Sequence, residues 1–177
     1  MFDSKSINAF ARTISSQPLG LAYHRPEKWA YASHCFANVI KKVQQDGGRA
    51  RFGWTFQGCI MSDAPELGYL VATHHAVWNA PDRSISDVTP FHTSSKPLCV
   101  PTGEVLFLVD DKAEPVVIGN NVFAPLPLRF FPLSDDKRLI TYIEQKKNEE
   151  EQRCRDIYQG KLESIEATLF LHGEQPE

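Results

Sequence analysis

No apolar run in this chain approaches the length of a membrane span. Residues 1–30 also lack the apolar core of a signal peptide. Positive charge is not in excess either: 19 Lys and Arg against 22 Asp and Glu leave a net charge of −3. A nucleic-acid binder would carry the opposite balance. Cysteine is scarce, with Cys35, Cys59, Cys99 and Cys154 forming no C-x-x-C pair. That spacing offers neither a zinc knuckle nor a disulfide framework, and without an export signal reduced thiols are the default. A cytoplasmic protein is expected, although an effector exported without a signal would look the same. There is no internal repeat and no sign of a second domain. What remains is ordinary globular material, with 177 residues, 42% hydrophobic and 23% charged, enough for one domain with a real core.

The informative stretch runs from Ser33 to Pro90. Phe36, Val39, Ile40 and Val43 fall at i, i+3, i+4 and i+7, the apolar stripe of a helix. Ser33 is placed to cap its start, and Gly47-Gly48 to stop it. Cys35 then lies in the first turn, on the flank of the stripe. Thiol pKa values fall near a helix N-terminus or a cationic histidine, and the thiolate is the nucleophile.

Tyr69–Trp78 (YLVATHHAVW) and Ser84–Thr89 (SISDVT) read as two strands joined by the turn residues Asn79-Ala80-Pro81-Asp82-Arg83. Pairing Asn79 with Arg83 around a three-residue loop would set His75 opposite Asp87, close enough for a carboxylate to hold an imidazole. His74 would face the other way with Ala76 and Trp78. These residues make Cys35, His75 and Asp87 the candidate catalytic triad.

Taken together, a helix-initial Cys, a Gly-rich helix end, H-A-V-W on one strand and D-V-T-P on the next resemble the core of the transglutaminase-like cysteine hydrolases. Two departures are visible: Ser33-His34 precedes the cysteine where members often carry a Gly-x pair, and the histidine motif has one residue extra before Trp78. The resemblance implies a papain-like fold and acyl-transfer or amide-hydrolysis chemistry on a peptide, protein or carboxamide substrate. Proteases, deamidases and cross-linking enzymes belong to that superfamily, and some members have lost catalysis. No cofactor, metal, nucleic acid or membrane partner is expected.

The flanks say less. Ser4–Ser16 has weak helical spacing, Gln17–Gly20 reads as a turn, and Gln17 is a weak candidate for an oxyanion donor. Arg49–Gln57 alternates as a strand, with a loop over Gly58–Gly68. Asn38, Trp54 and Trp78 are the candidate substrate contacts, each with a plain structural alternative. Beyond Pro90 the chain is proline-rich, with strands at Glu104–Val109 and Pro115–Ile118. Ser134-Asp135-Asp136 caps a long helix whose middle is almost wholly charged, and Leu162, Ile165 and Leu169 continue at helical spacing.

The expected architecture is therefore α+β: a papain/transglutaminase-like core with the cysteine helix packed on an antiparallel β-sheet that includes 49–57, 69–78 and 84–89. One domain spans 1–177, with the catalytic core at about 26–132 and a helical extension over 133–177. Two other function classes compete with a thiol enzyme. One is an inactive binding module on the same fold. The other is a metal site drawn from His34, Cys35, His74, His75, Asp87 and His92, disfavoured because neighbouring strand residues point to opposite faces.

Overall fold

The computed structural model describes residues 2–92, 97–118 and 122–160. In chain order the elements are α1 (Ser4–Ile14), β1 (Leu19–His24), α2 (Cys35–Asp46), β2 (Arg49–Ile60), β3 (Gly68–Asn79), β4 (Ile85–Asp87), β5 (Glu104–Val109), β6 (Val116–Ile118), β7 (Val122–Ala124), β8 (Arg129–Pro132) and α3 (Lys137–Tyr158). The spacing of Leu162, Ile165 and Leu169 lies outside the described residues.

The expected papain-like arrangement, a helix on an open antiparallel sheet, is not what forms. The strands run β2-β5-β1-β4-β3, and β3 pairs again with β2, so five strands close into a barrel. Two features close it. First, β2 uses both edges: twelve residue pairs join it to β3, while Gly53, Trp54 and Thr55 also pair with β5. At Gly53 a Cβ would sit 2.0 Å from the Leu108 carbonyl oxygen, so only glycine lets the two strands approach this closely. Second, β1 slots between β5 and β4, antiparallel to the first and parallel to the second. The sequence reads Gln17–Gly20 as a turn and assigns no strand to residues 21–24, because glycine and histidine dilute the strand signal of LGLAYH, and without β1 the sheet looks open. Thus β1, which precedes residue 26, is one of the barrel strands.

Alternation along the strands divides the core into an inside and an outside. Inside the barrel, Ala22, Val77 and Phe107 pack with Ile85 and Val109. Outside, α2 lays Phe36 and Val39 against Ala76 and Val88. Burying side chains of that size stabilises by about 1.5–3 kcal/mol each, which anchors the helix to the wall. Beyond the barrel, β2 and β3 continue as a two-stranded arm that β8 widens on the β3 edge. One side of the arm carries α1 through Ile7, Phe10 and Ala11. Its other cluster joins Tyr69 and Val71 to Leu139 and Ile143 of α3. The segment read as a loop over Gly58–Gly68 is shorter, because both strands run into it.

Candidate active site

Helix α2 begins at Cys35 itself, with His34 as N-cap. Ser33 does not cap. It takes φ 67°, a left-handed backbone that is uncommon for a non-glycine residue, and turns the chain into the helix just ahead of the cysteine. The His34 ring donates from Nδ1 to the Ala32 carbonyl at 2.7 Å, so the N-cap side chain does not itself cap the helix. At the far end Gly47 and Gly48 stop the helix at positive φ, as their sequence suggests. Cys35, read from the helical wheel as a flank residue neither central to the core nor fully outside, is 6% exposed and belongs to the cluster of Phe36, Val39, Ala76 and Val88. The helix start is tucked against the barrel wall, which a helical wheel alone does not reveal.

The β3–β4 hairpin has the expected three-residue loop, but it starts one residue later. Ala80 N–H donates to the Ser84 carbonyl at 2.9 Å, and Arg83 takes the left-handed conformation (φ 72°) that closes such loops. Trp78 pairs with Ser86 and Asn79 with Ile85. Extending that register sets Asp87 across from Val77, so His75 meets it diagonally rather than directly. A displacement of one residue on each strand keeps every side chain on its own face. His75 Nε2 therefore still lies 3.0 Å from Asp87 Oδ2.

Asp87 is firmly held. It is 1% exposed, and its Oδ1 accepts the Thr89 N–H at 3.0 Å, which leaves Oδ2 for the imidazole. Its carbonyl accepts the Arg25 N–H at 2.8 Å, tying it to the end of β1. Thr89 is the hub. Its hydroxyl accepts from Asn38 Nδ2 at 3.2 Å, and its carbonyl accepts from His24 Nε2 at 3.1 Å. His24 in turn stacks on Phe91 with ring centroids 3.6 Å apart.

His75 Nε2 is sealed from solvent, and its 3.0 Å contact with Asp87 lacks the alignment of a full hydrogen bond. Such looseness is common in catalytic pairs before substrate binds. Burial pulls the His75 pKa down, but the charges of Asp87 and Cys35, each with a hydrogen-bonding contribution, raise it well above the ordinary histidine value. His74 behaves oppositely. Burial between the Phe36 and Trp54 rings lowers it to about 4, against the upward pull of the Ala113 carbonyl. Its Nε2 donates to that carbonyl at 2.7 Å and its Nδ1 accepts the Leu126 N–H at 2.8 Å, the neutral form with one tautomer.

Cys35, His75 and Asp87 share one cleft of about 230 Å³, which Thr55 and Gln57 of β2 and Thr73 and His74 of β3 also line. The three residues named as substrate contacts lie elsewhere. Asn38 is 3% exposed and clamps the main chain of Tyr31 and the hydroxyl of Thr89. Trp54 is 1% exposed and donates to Asp110 Oδ2 at 3.0 Å. Trp78 donates to the Gly47 carbonyl at the opposite end of α2 from Cys35. Gln17 is an exposed turn residue, away from the cleft. Among the described residues, no group of three or more His, Cys, Asp or Glu side chains could hold a metal ion. No helix among them is long and apolar enough to cross a membrane.

Two groups escaped sequence reasoning. Thr89 had a readable signal, since Asp-x-Thr is the spacing at which a carboxylate accepts the N–H two residues on. Gln57 and Thr55 had none, because which face of β2 looks inward depends on closure of the barrel. No family model, curated protein or solved structure matches this chain.

Proposed function

We propose that this chain is a thiol hydrolase or acyltransferase that acts on a peptide or carboxamide bond through Cys35, His75 and Asp87. One observation carries the reading: a buried imidazole is set between a carboxylate 3.0 Å away and a thiol, inside a cleft. The order Cys, His, Asp and the helix-initial setting of the cysteine support it through their resemblance to transglutaminase-like hydrolases, although the barrel is not their fold.

In this reading Asp87 holds Nε2–H and stabilises the imidazolium, so Nδ1 takes the thiol proton. The Cys35 thiolate adds to the substrate carbonyl carbon, and the carbonyl π electrons move to oxygen near the positive end of α2. Collapse of the adduct breaks the C–N bond, and the leaving amine takes its proton from His75. The acyl thioester on Cys35 is then attacked by water or a second amine. His75 removes the proton from that nucleophile and returns it to the departing thiolate.

A second reading, a binding module without chemistry, is favoured by one fact: Cys35 is only 6% exposed. Iodoacetamide alkylation of the full chain separates the two. Rates at each cysteine are followed from about pH 5 to pH 9, a range that brackets ordinary histidine and thiol values. A reactive pair makes Cys35 about tenfold or more faster than the exposed Cys99 below neutrality, because a thiolate persists there. If Cys35 is slower than Cys99 throughout, the binding-module reading replaces the enzyme.

A further inference from the structure

The long C-terminal helix puts one residue into the cleft. Arg153 lines it beside Pro125, and the Tyr158 hydroxyl holds the Pro125 carbonyl at 2.8 Å from the same helix. Arg153 is set by a buried acid. Its Nε donates to Glu150 Oε2 at 2.8 Å and its Nη2 to Oε1 at 2.6 Å, a side-on bidentate pair. Glu150 is 7% exposed, and its Oε1 also accepts the Leu128 N–H at 3.1 Å.

Glu150 is buried while Arg153 is partly exposed, an arrangement that fixes the guanidinium at the edge of the cleft. The pairing uses one edge of the guanidinium. Nη1 enters no bond with Glu150, and the Arg153 side chain is 44% exposed. Nη2 also contacts Cys154 Sγ at 3.8 Å, and the outer Nη1 side can meet a further carboxylate oxygen. Arg153 lines the cleft and Glu150 does not, so the cation faces the space that holds Cys35. Among the described residues lining that space, the single carboxylate is Asp87, engaged by His75, and Arg153 is the sole Lys or Arg.

We propose that Arg153 is a specificity-determining residue that binds a carboxylate of the substrate, so that the amide attacked by Cys35 lies within a residue or two of an acidic side chain or a C-terminal carboxylate. The inference rests on the thiol-enzyme reading above for its location. The small cleft keeps the two groups close, and the buried Glu150 fixes the guanidinium before substrate arrives, which lowers the ordering cost of binding.

Iodoacetate and iodoacetamide differ by the carboxylate alone, and both can be tested on the full chain. The ratio of their rates at Cys35 is expected to exceed the ratio at Cys99 by at least about tenfold, the size of one charge-assisted pair. Arg153→Gln should abolish that preference. Because this change strands a buried Glu150, the Glu150→Gln/Arg153→Gln double variant serves as the folded control. Fast alkylation by iodoacetamide with no preference for iodoacetate would overturn carboxylate recognition and leave the thiol reading intact.

If Cys35 is slow toward both reagents, the thiol reading falls and binding alone decides. An NMR titration then compares N-acetylalanine, which carries a terminal carboxylate, with N-acetylglutamic acid α-amide, which carries one on its side chain. Shifts around the cleft that vanish in the double variant support the proposal, and the compound that causes them identifies the source of the carboxylate. An equal response to N-acetylglutamine amide overturns it.

Discussion

The two faces of β3 treat neighbouring histidines in opposite ways. His74 points out of the barrel, is sealed between aromatic rings, and has both ring nitrogens satisfied by main-chain groups. His75 points inward, beside a carboxylate and a thiol, with a buried Nε2 that no well-aligned hydrogen bond satisfies. Burial lowers the first to about 4, while on the other face the partner charges outweigh burial and raise the second. Burial alone does not decide what a histidine does; its partners decide. A satisfied neutral ring is a structural cross-link, and a ring between two ionisable groups is a place where a proton can move.

Replacing each histidine in turn breaks this contrast most directly. If the proposed ion pair forms, His75→Ala should slow alkylation of Cys35 by iodoacetamide roughly 10²-fold near pH 6, because the imidazolium that would hold the thiolate is then gone. Retention of the fast rate would show that the thiol owes nothing to His75. Asp87→Asn keeps the shape and removes the charge, so the same rate should fall by about tenfold. In any assay of turnover the loss should be roughly 10–10³. That is below the loss of about 10⁴ for the equivalent change in a serine protease, because a thiol and imidazole already form an ion pair.

On the outer face, His74→Ala should cost about 3 kcal/mol of stability, read from the denaturation midpoint, since it strands the Ala113 carbonyl and the Leu126 N–H and leaves a cavity. The folded fraction should alkylate at the wild-type rate, and a selective loss of rate instead would reverse the roles of the two faces.

Acid titration sharpens the same contrast. His74 has a lowered folded value, so the unfolded chain binds a proton that the folded chain refuses, and its contribution is present above about pH 6.5 and lost as pH falls to about 4. The loss should be at most about 3 kcal/mol, and His74→Gln should flatten it. His75 has a raised folded value, so its contribution is complete below about pH 6.5 and fades as pH rises through that higher value. Opposite slopes from adjacent residues, measured by denaturation at a series of pH values, are the expected signature.

Much of the site was legible in residue order. The stripe of Phe36, Val39, Ile40 and Val43 places Cys35 at a helix start, and alternation along THHAVW separates His74 from His75 whatever the exact pairing. The hairpin register could slip by one residue on each strand without harm, since the side-chain period of two preserves the face. Legibility failed where contacts are distant in sequence. β1 lacks the β-branched residues that announce a strand and is held by β4 and β5 across the barrel. Asn38, Trp54 and Trp78 are chemically suited to a cleft, but their polar groups are used by Thr89, Asp110 and Gly47, partners remote in sequence from the first two.

Local periodicity thus determined which side chains start a helix and which share a strand face, because those relations are set by the backbone geometry of a few adjacent residues. Closure of the five strands, burial of Cys35, the raised pKa of His75 and the arrival of Arg153 beside the cleft were decided by tertiary structure. Each depends on desolvation and on charges brought together from distant parts of the chain, which no short window of sequence contains.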